Sequence, residues 1–130
     1  MERGEEHSSI RSFTDLVAWQ EGHRLVLTIY KITKSFPKEE TFGLISQMRR
    51  AVGSITHNIA EGFSRKSYKE KSHFYFNSLG SLTELQDQLL IARDVHYLTN
   101  DTFQQTAQQT IRVSKLINGL IKGCENRFKP

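Results

Sequence analysis

The sequence has few of the residues that cross-link or interrupt a chain. Its 130 residues include one cysteine, Cys124, and two prolines, Pro37 and Pro130. A single cysteine excludes an intramolecular disulfide and is typical of a reducing compartment. The long interval without proline favours helices over a turn-rich β fold, because proline lacks a backbone donor. We therefore expect an all-α, cytoplasmic protein.

The sequence also lacks the signals of a membrane or secreted protein. No apolar run approaches the roughly 18 residues that suggest a transmembrane helix. The first residues are polar and mixed in charge, unlike a signal peptide. We interpret residues 1–12 as a flexible arm, residues 13–126 as one folded domain and residues 127–130 as a tail. We expect no contact with a membrane.

Charge is modest overall but unevenly placed. The net charge is +4, and residues 41–80 carry six Lys and Arg against two Asp and Glu, so the whole surplus lies in the middle of the chain. A local surplus of this size permits contact with nucleic acid. It is much weaker than the basic tails of many nucleic-acid-binding proteins.

Hydrophobic periodicity predicts four helices. Thr14 is a suitable N-cap for the first, and Pro37 follows its end because the residue before a proline avoids the α region. Ser67 and Glu70 form a capping box that begins the third helix. Four helices with short connections predict an up-down-up-down antiparallel four-helix bundle. The predicted spans are residues 14–35, 39–65, 67–98 and 101–126.

The second and third helices each carry an apolar seam beside a polar stripe. Two different stripes predict two different neighbours, which favours a bundle that also assembles with copies of itself. The apolar seams are Ile45, Met48, Val52, Ile55 and Ile59 on the second helix, and Tyr75, Leu79, Leu82, Gln86 and Leu89 on the third. The polar stripes are Gln47, Arg50, Ser54, Asn58 and Glu61 on the second helix, and Asn77, Ser81, Glu84 and Gln88 on the third.

The first and fourth helices have less sharply defined apolar faces. The first has a broad apolar face that includes Trp19, Leu27 and Tyr30, as expected for a helix that touches two or more partners. In the fourth, the spacing from Phe103 to Cys124 leaves either Thr110 or Ile111 in the core.

Three of the glycines inside the predicted helices lie in the middle of the second and third helices. Each costs about 1 kcal/mol relative to alanine, so a closely packed neighbour is expected at Gly53, Gly62 and Gly80. For Gly62, the alternative is that the helix ends there.

Two segments are more specific than bundle periodicity. One is QMRRAVGSI at residues 47–55, which continues into NIAEG at 58–62. The other is GSLTEL at 80–85, which continues into QLLIA at 88–92. With residues 13–20 and Phe36–Pro37, they resemble the four-helix-bundle family encoded by intervening sequences of bacterial large-subunit ribosomal RNA genes, sometimes labelled S23 ribosomal protein. The resemblance covers about residues 13–122. One departure is Thr56, where the family often has proline, so a more regular helix is expected here.

The resemblance implies a small cytosolic bacterial protein that assembles into homopentameric rings and whose biochemical role is unsettled. A similar bundle serves as the accessory protein of diversity-generating retroelements, where it binds nucleic acid and a reverse transcriptase. That analogy concerns the fold and carries little weight for function.

The family's characteristic positions match a set of polar residues and glycines here. We interpret them as a subunit interface or a buried polar network, in which Glu61 or Glu84 meets Arg50. The alternative is that both stripes are solvated faces. The matched positions are Arg50, Ser54, Asn58, Glu61, Gly62, Gly80, Ser81, Glu84 and Leu85.

No motif indicates a catalytic or metal site. Glu70 and His73 form one E-x-x-H motif, but a di-iron bundle needs two. His57 and Glu61 are four residues apart and could share a ligand, although packed or solvated side chains are the simpler interpretation. We predict no catalytic residue, cofactor, metal or small-molecule substrate. A metal-dependent enzyme would need a site built between subunits.

A basic corner lies between the second and third helices. Basic residues beside Tyr68, His73 and Phe74 could bind phosphates and stack unpaired bases. The alternative is a solvated corner. We predict a non-enzymatic, homo-oligomeric scaffold or interaction module, with an RNA- or DNA-binding ring as the alternative. The four basic residues are Arg65, Lys66, Lys69 and Lys71.

Overall fold

The structure, a computed structural model, describes residues 10–128, and within that range all regular secondary structure is helical. The predicted all-α fold with four long helices is confirmed. No helix in the described range is long and apolar enough to cross a bilayer. The four helices are α1 (Val17–Thr33), α2 (Ser46–Ser64), α3 (Tyr68–Asp94) and α4 (Asn100–Phe128).

The folded part begins before α1, with a 3-10 turn at Phe13–Asp15. The Ser12 hydroxyl accepts the N–H of Thr14 at 3.2 Å. The Asp15 carboxylate accepts the N–H groups of Arg11 and Ser12, at 2.9 and 3.2 Å. These bonds involve residues 11 and 12, at the end of the predicted arm of residues 1–12. Residues 1–9 of that arm lie outside the described range.

The connection before α2 differs from the prediction of one helix from about residue 39. A 3-10 turn at Lys38–Glu40 is followed by a π turn at Thr41–Ile45, and α2 begins only at Ser46. The kink centres on Gly43, whose backbone is not helical. The Glu40 carboxylate accepts the N–H of Leu44 at 3.0 Å, so a side-chain cap replaces the regular backbone ladder.

The start of α3 follows the prediction in its N-cap, since the Ser67 hydroxyl accepts the N–H of Glu70 at 3.1 Å, while the Glu70 carboxylate meets that hydroxyl and not the Ser67 N–H. Its end comes earlier than predicted. The helix stops at Asp94 because His96 has a φ of 68°, and the Tyr97 N–H returns to the carbonyl of Ala92 at 2.8 Å. A left-handed residue at this position is a common way to end a helix.

The last helix extends further than predicted. It runs to Phe128, so Arg127 is helical and does not begin a tail. The Arg127 guanidinium lies 5.3 Å from the Tyr68 ring centroid and donates to its hydroxyl at 3.2 Å. This contact ties the end of α4 to the start of α3. Residues 129–130 of the predicted tail lie outside the described range.

Buried side chains from all four helices form one core. Several positions differ from the periodicity. Leu27 and Tyr30 on α1 are exposed. Of the two candidates on α4, the structure buries Thr110 and exposes Ile111. Gln86 is only partly buried and donates to the Thr110 hydroxyl at 3.1 Å. The fully buried residues include Leu25, Ile29, Met48, Val52, Ile55, Ile59, Leu82, Leu85, Leu89, Val113 and Ile117.

Cross-helix hydrogen bonds fix the register of α3 on α2. The Lys71 ammonium donates to the carbonyl of Phe63 at 2.6 Å, near the end of α2. About two turns further along α3, the Ser78 hydroxyl donates to the carbonyl of Ile55 at 2.7 Å. Residue numbers thus rise along α3 as they fall along α2. This register brings the two polar stripes to the same level.

Candidate functional site

The polar stripes of α2 and α3 meet along one ridge. The Arg50 Nη2 atom donates to Glu84 Oε2 at 2.7 Å. The hydroxyl oxygens of Ser54 and Ser81 lie 2.8 Å apart. The Asn58 amide donates to the carbonyl of Ser54 at 2.8 Å. We call these five side chains the polar ridge. It joins α2 and α3, which the predicted bundle also places side by side.

Much of the polar ridge is open to solvent in a single chain. The side chains of Arg50 and Glu84 are 63% and 42% exposed. An ion pair this exposed typically contributes about 0–1 kcal/mol to stability. The Gln88 amide nitrogen donates to Glu84 at 3.2 Å, while its buried oxygen has no hydrogen-bond partner in the described part of the chain. The ridge therefore does little for the stability of one chain.

The structure separates Glu61 from Arg50. Glu61 lies one helical turn from Arg65 and forms an ion pair with it. Of the two partners that the sequence offered for Arg50, the structure selects Glu84. Glu61 instead lies beside the basic corner and offsets part of its charge.

The mid-helix glycines have different surroundings. A β carbon on Gly62 would lie 2.7 Å from Cε1 of Tyr75, so only glycine lets α3 approach this closely. A β carbon on Gly80 would meet no atom within 4 Å, and one on Gly53 would meet only the His57 ring at 3.6 Å. Packing inside the chain therefore explains Gly62 but leaves Gly80 without a neighbour.

A groove of about 950 Å³ lies between α1 and α2. Trp19 and His23 stack along one wall, with ring centroids 4.8 Å apart. The Arg49 guanidinium lies 4.6 Å from the Tyr30 ring centroid and donates to the Thr33 hydroxyl at 3.0 Å. We call this the aromatic groove. Its main apolar lining residues are Phe13, Trp19, Val26, Tyr30 and Ile45.

Sequence reasoning did not find the aromatic groove. The broad apolar face of the first helix, together with Gly53 on the second, was the available signal. That face was assigned to contacts with two or more partners, and in the structure Trp19 and Tyr30 line an open groove. Arg50 and Ser54 line it as well, so the groove adjoins the polar ridge.

The basic corner is only partly available to a ligand. Lys71 binds the carbonyl of Phe63, and Arg65 pairs with Glu61 and lies 4.7 Å from the Phe74 ring centroid. Lys66 and Lys69 are exposed and form no ion pair among residues 10–128. A shallow cavity of about 480 Å³ lies beside them, lined by Arg65, Lys69, Glu70, His73 and Phe74.

The described residues contain no group of three His, Cys, Asp or Glu side chains that could hold a metal ion. Cys124 is buried, and burial raises the pKa of its thiol above its usual value. Burial likewise raises the pKa of the nearby Tyr75 phenol to about 12. Both groups therefore remain protonated and unreactive near neutral pH.

Comparison with solved structures identifies a similar fold. A crystal structure of a protein with unknown function from the S23 ribosomal protein family of Bacteroides thetaiotaomicron VPI-5482 aligns with a TM-score of 0.76 at 20% identity. The alignment covers 82% of this chain and 96% of that chain. At this identity the likeness establishes the fold alone. No curated protein sequence matches the chain.

The sequence itself matches a family model described as 23S rRNA-intervening sequence protein, over residues 14–119. The match includes α1, α2, α3 and most of α4, together with every residue of the polar ridge and the basic corner. This confirms the resemblance drawn from residues 47–62 and 80–92. The chain therefore belongs to the 23S rRNA-intervening sequence protein family.

Proposed function

We propose that this protein is a non-enzymatic, homo-oligomeric four-helix bundle that forms a ring and acts as a scaffold or interaction module. Five subunits is the number implied by the family resemblance. An up-down-up-down antiparallel arrangement is supported by the opposite numbering of α2 and α3 along their contact. A cytoplasmic location is supported by the single buried cysteine.

The observation that carries the proposal is the half-exposed polar ridge beside Gly80. Ser54, Asn58 and Ser81 are short and already paired, unlike the long lysines and glutamates of an ordinary solvated face. Gly80 costs helix stability, and no neighbour among the described residues 10–128 would offset that cost. A second subunit lying on this ridge would account for both features, since glycine permits close approach of another backbone.

The first test is native mass spectrometry of protein purified without nuclease, with sedimentation over a range of concentrations. We expect a discrete oligomer, with five subunits favoured. A protein that stays monomeric at micromolar concentration would contradict the proposal. Additional mass that ribonuclease or deoxyribonuclease removes would favour the second candidate function below.

A glycine substitution tests the surface itself. Gly80→Ala should raise the free energy of unfolding of a single chain by about 1 kcal/mol, because alanine is the better helix former. The same change should weaken assembly, because the added methyl group would meet the second subunit. Gly119→Ala on α4 is the matched control, since its β carbon also meets nothing within 4 Å. It should stabilise the chain without affecting assembly.

Binding of RNA or DNA at the basic corner is the second candidate. It is supported by the exposed Lys66 and Lys69, which form no ion pair within residues 10–128, and by a cavity that Lys69 and Phe74 line. Lys71 is better left intact in a test, because its contact with Phe63 closes the end of α2.

Lys66→Ala combined with Lys69→Ala should weaken binding of single-stranded RNA and reduce its salt slope by about one per lysine. Lys31→Ala with Lys34→Ala is the matched control, because both lysines are exposed and lie at the end of α1. Binding that is indifferent to salt and to both pairs of changes would exclude the corner as the site.

A further inference from the structure

The most exposed apolar side chain in the described chain is Phe42, at 94%. The other large apolar side chains at the surface are between 39% and 57% exposed, as expected for residues that lie partly against a neighbour. An aromatic ring that projects fully into water gains nothing for the stability of its own chain. Such residues are frequently anchors for a partner.

The segment that carries Phe42 is held firmly in place. One oxygen of the Glu40 carboxylate accepts the N–H of Leu44 at 3.0 Å, and the other accepts the Tyr97 hydroxyl at 2.9 Å. The Tyr97 ring in turn lies 5.2 Å from the ring of Phe36. The π turn is thereby clamped to the end of α3. A clamped anchor loses less conformational entropy on binding than a mobile one does.

The aromatic groove is a suitable acceptor for such a side chain. Its walls include Trp19 and Tyr30, whose rings can form edge-to-face contacts with phenylalanine. Its arginines are already engaged, Arg49 with Thr33 and Arg50 with Glu84. The groove therefore offers apolar contact and no unpaired guanidinium to an anionic ligand.

We infer that Phe42 of one copy of this chain inserts into the aromatic groove of a second copy. Phe42 does not line the groove of its own chain, although its neighbour Thr41 does. The occupant is identified as a second copy because the groove adjoins the polar ridge and shares Arg50 and Ser54 with it. This inference rests on the proposed self-assembly and names the contact that drives it.

The insertion permits a head-to-tail contact. The projecting ring and the groove are different surfaces of one chain, so each subunit can donate to one neighbour and accept from another. Repeating such a contact closes a ring when the rotation between subunits divides a full turn. Arg50 and Glu84 would then become less exposed at the same boundary.

The first experiment compares Phe42→Ala with the wild-type chain by sedimentation and native mass spectrometry. Truncating a central aromatic anchor should raise the dissociation constant by about 30-fold or more. Helix content should not change, nor should the stability of the dissociated single chain, because Phe42 is 94% exposed within its own chain. Ile111→Ala is the matched control, since it removes another exposed apolar side chain, on α4, and should leave assembly intact.

Complementation provides a sharper test. Gly53 lines the groove, so Gly53→Leu should fill it with a side chain and prevent assembly. The chain itself should tolerate the change, because a β carbon at this position would meet only the His57 ring, at 3.6 Å. A mixture of Phe42→Ala and Gly53→Leu chains retains one intact contact, between the Phe42 of the second variant and the groove of the first. The mixture should therefore form mixed dimers, whereas each variant alone should not associate.

Trp19 gives an independent readout, because it is the only tryptophan and lines the groove. Its fluorescence emission should shift to longer wavelength as wild-type protein is diluted below the dissociation constant. The Phe42→Ala chain should show the dissociated spectrum at concentrations at which the wild-type chain is assembled.

The possible outcomes separate the two proposals. A wild-type oligomer that survives Phe42→Ala unchanged would overturn this inference and leave self-assembly standing. Two monomeric variants that fail to form mixed dimers would also overturn it. A monomeric wild-type chain would overturn both.

Discussion

Gly62 and Tyr75 share a space in which only one of them can have a side chain. A β carbon on Gly62 would lie 2.7 Å from Cε1 of Tyr75, closer than side chains approach in folded proteins. The Tyr75 ring is itself buried and cannot move aside into solvent. This contact sets the separation of α2 and α3 at the end of the molecule that carries the basic corner.

We expect Gly62→Ala to destabilise the protein by about 1–3 kcal/mol, as overpacking of a core typically does. The gain in helix propensity from alanine is about 1 kcal/mol and would be overcome by the clash. Gly123→Ala on α4 is the matched control, because its β carbon meets nothing within 4 Å, and it should be stabilising. Urea unfolding of the two variants should give changes of opposite sign.

The core seams predict large effects at single positions. Ile55→Ala and Leu82→Ala should each lower the free energy of unfolding by about 2–5 kcal/mol, because both side chains are fully buried. Leu90→Ala on the outer face of α3 is the control and should cost much less, since Leu90 is 42% exposed. Similar losses for Leu82 and Leu90 would show that the seam of α3 is assigned to the wrong face.

Glu84→Ala should separate assembly from stability. Its ion pair with Arg50 is half-exposed, so the cost to a single chain should be at most about 1 kcal/mol. If the polar ridge lies at a subunit boundary, assembly should weaken markedly while helix content is unchanged. Glu21→Ala is the matched control, because Glu21 pairs with Arg24 and Arg112 on a different part of the surface. An oligomer indifferent to Glu84→Ala would place the boundary elsewhere.

The raised pKa of Tyr75 predicts a late step in alkaline titration. The protein has four tyrosines, and burial holds the Tyr75 phenol protonated until its pKa of about 12. Its usual pKa is about 10, so the stability that Tyr75 contributes is present below pH 10 and is lost as the pH rises towards about 12. Ultraviolet absorbance of tyrosinate should show this step, and Tyr75→Phe should remove it. Complete ionisation of all tyrosines near pH 10 would contradict the burial.

The sequence was sufficient for features encoded by local chemistry or by long repetition. The apolar seam of Met48, Val52, Ile55 and Ile59 runs for three turns, and all four side chains are buried. Ser67 caps the start of α3 through its hydroxyl, as serine at this position favours. These features need no information about distant parts of the chain.

The features that the sequence did not provide depend on contacts between distant residues. The break before α2 requires Glu40 to cap Leu44, a role stabilised by Tyr97, which lies 57 residues away. The aromatic groove depends on how far α1 stands from α2, and no periodic pattern encodes that separation. Lys71 was assigned to a phosphate-binding cluster because its neighbours are basic, whereas the structure turns it towards the carbonyl of Phe63.

The hydrogen bond between Tyr97 and Glu40 joins two chain reversals that are far apart in sequence. Ordering the segment that carries Phe42 should therefore also order the turn after α3, because the Tyr97 hydroxyl bonds to Glu40 in that segment. If Phe42 is bound by a second subunit, the amides around His96 and Tyr97 should exchange with deuterium more slowly, although neither residue need touch that subunit. The Tyr97 phenol thus couples the two turns, so that binding at the turn before α2 reduces the local motion of the turn after α3.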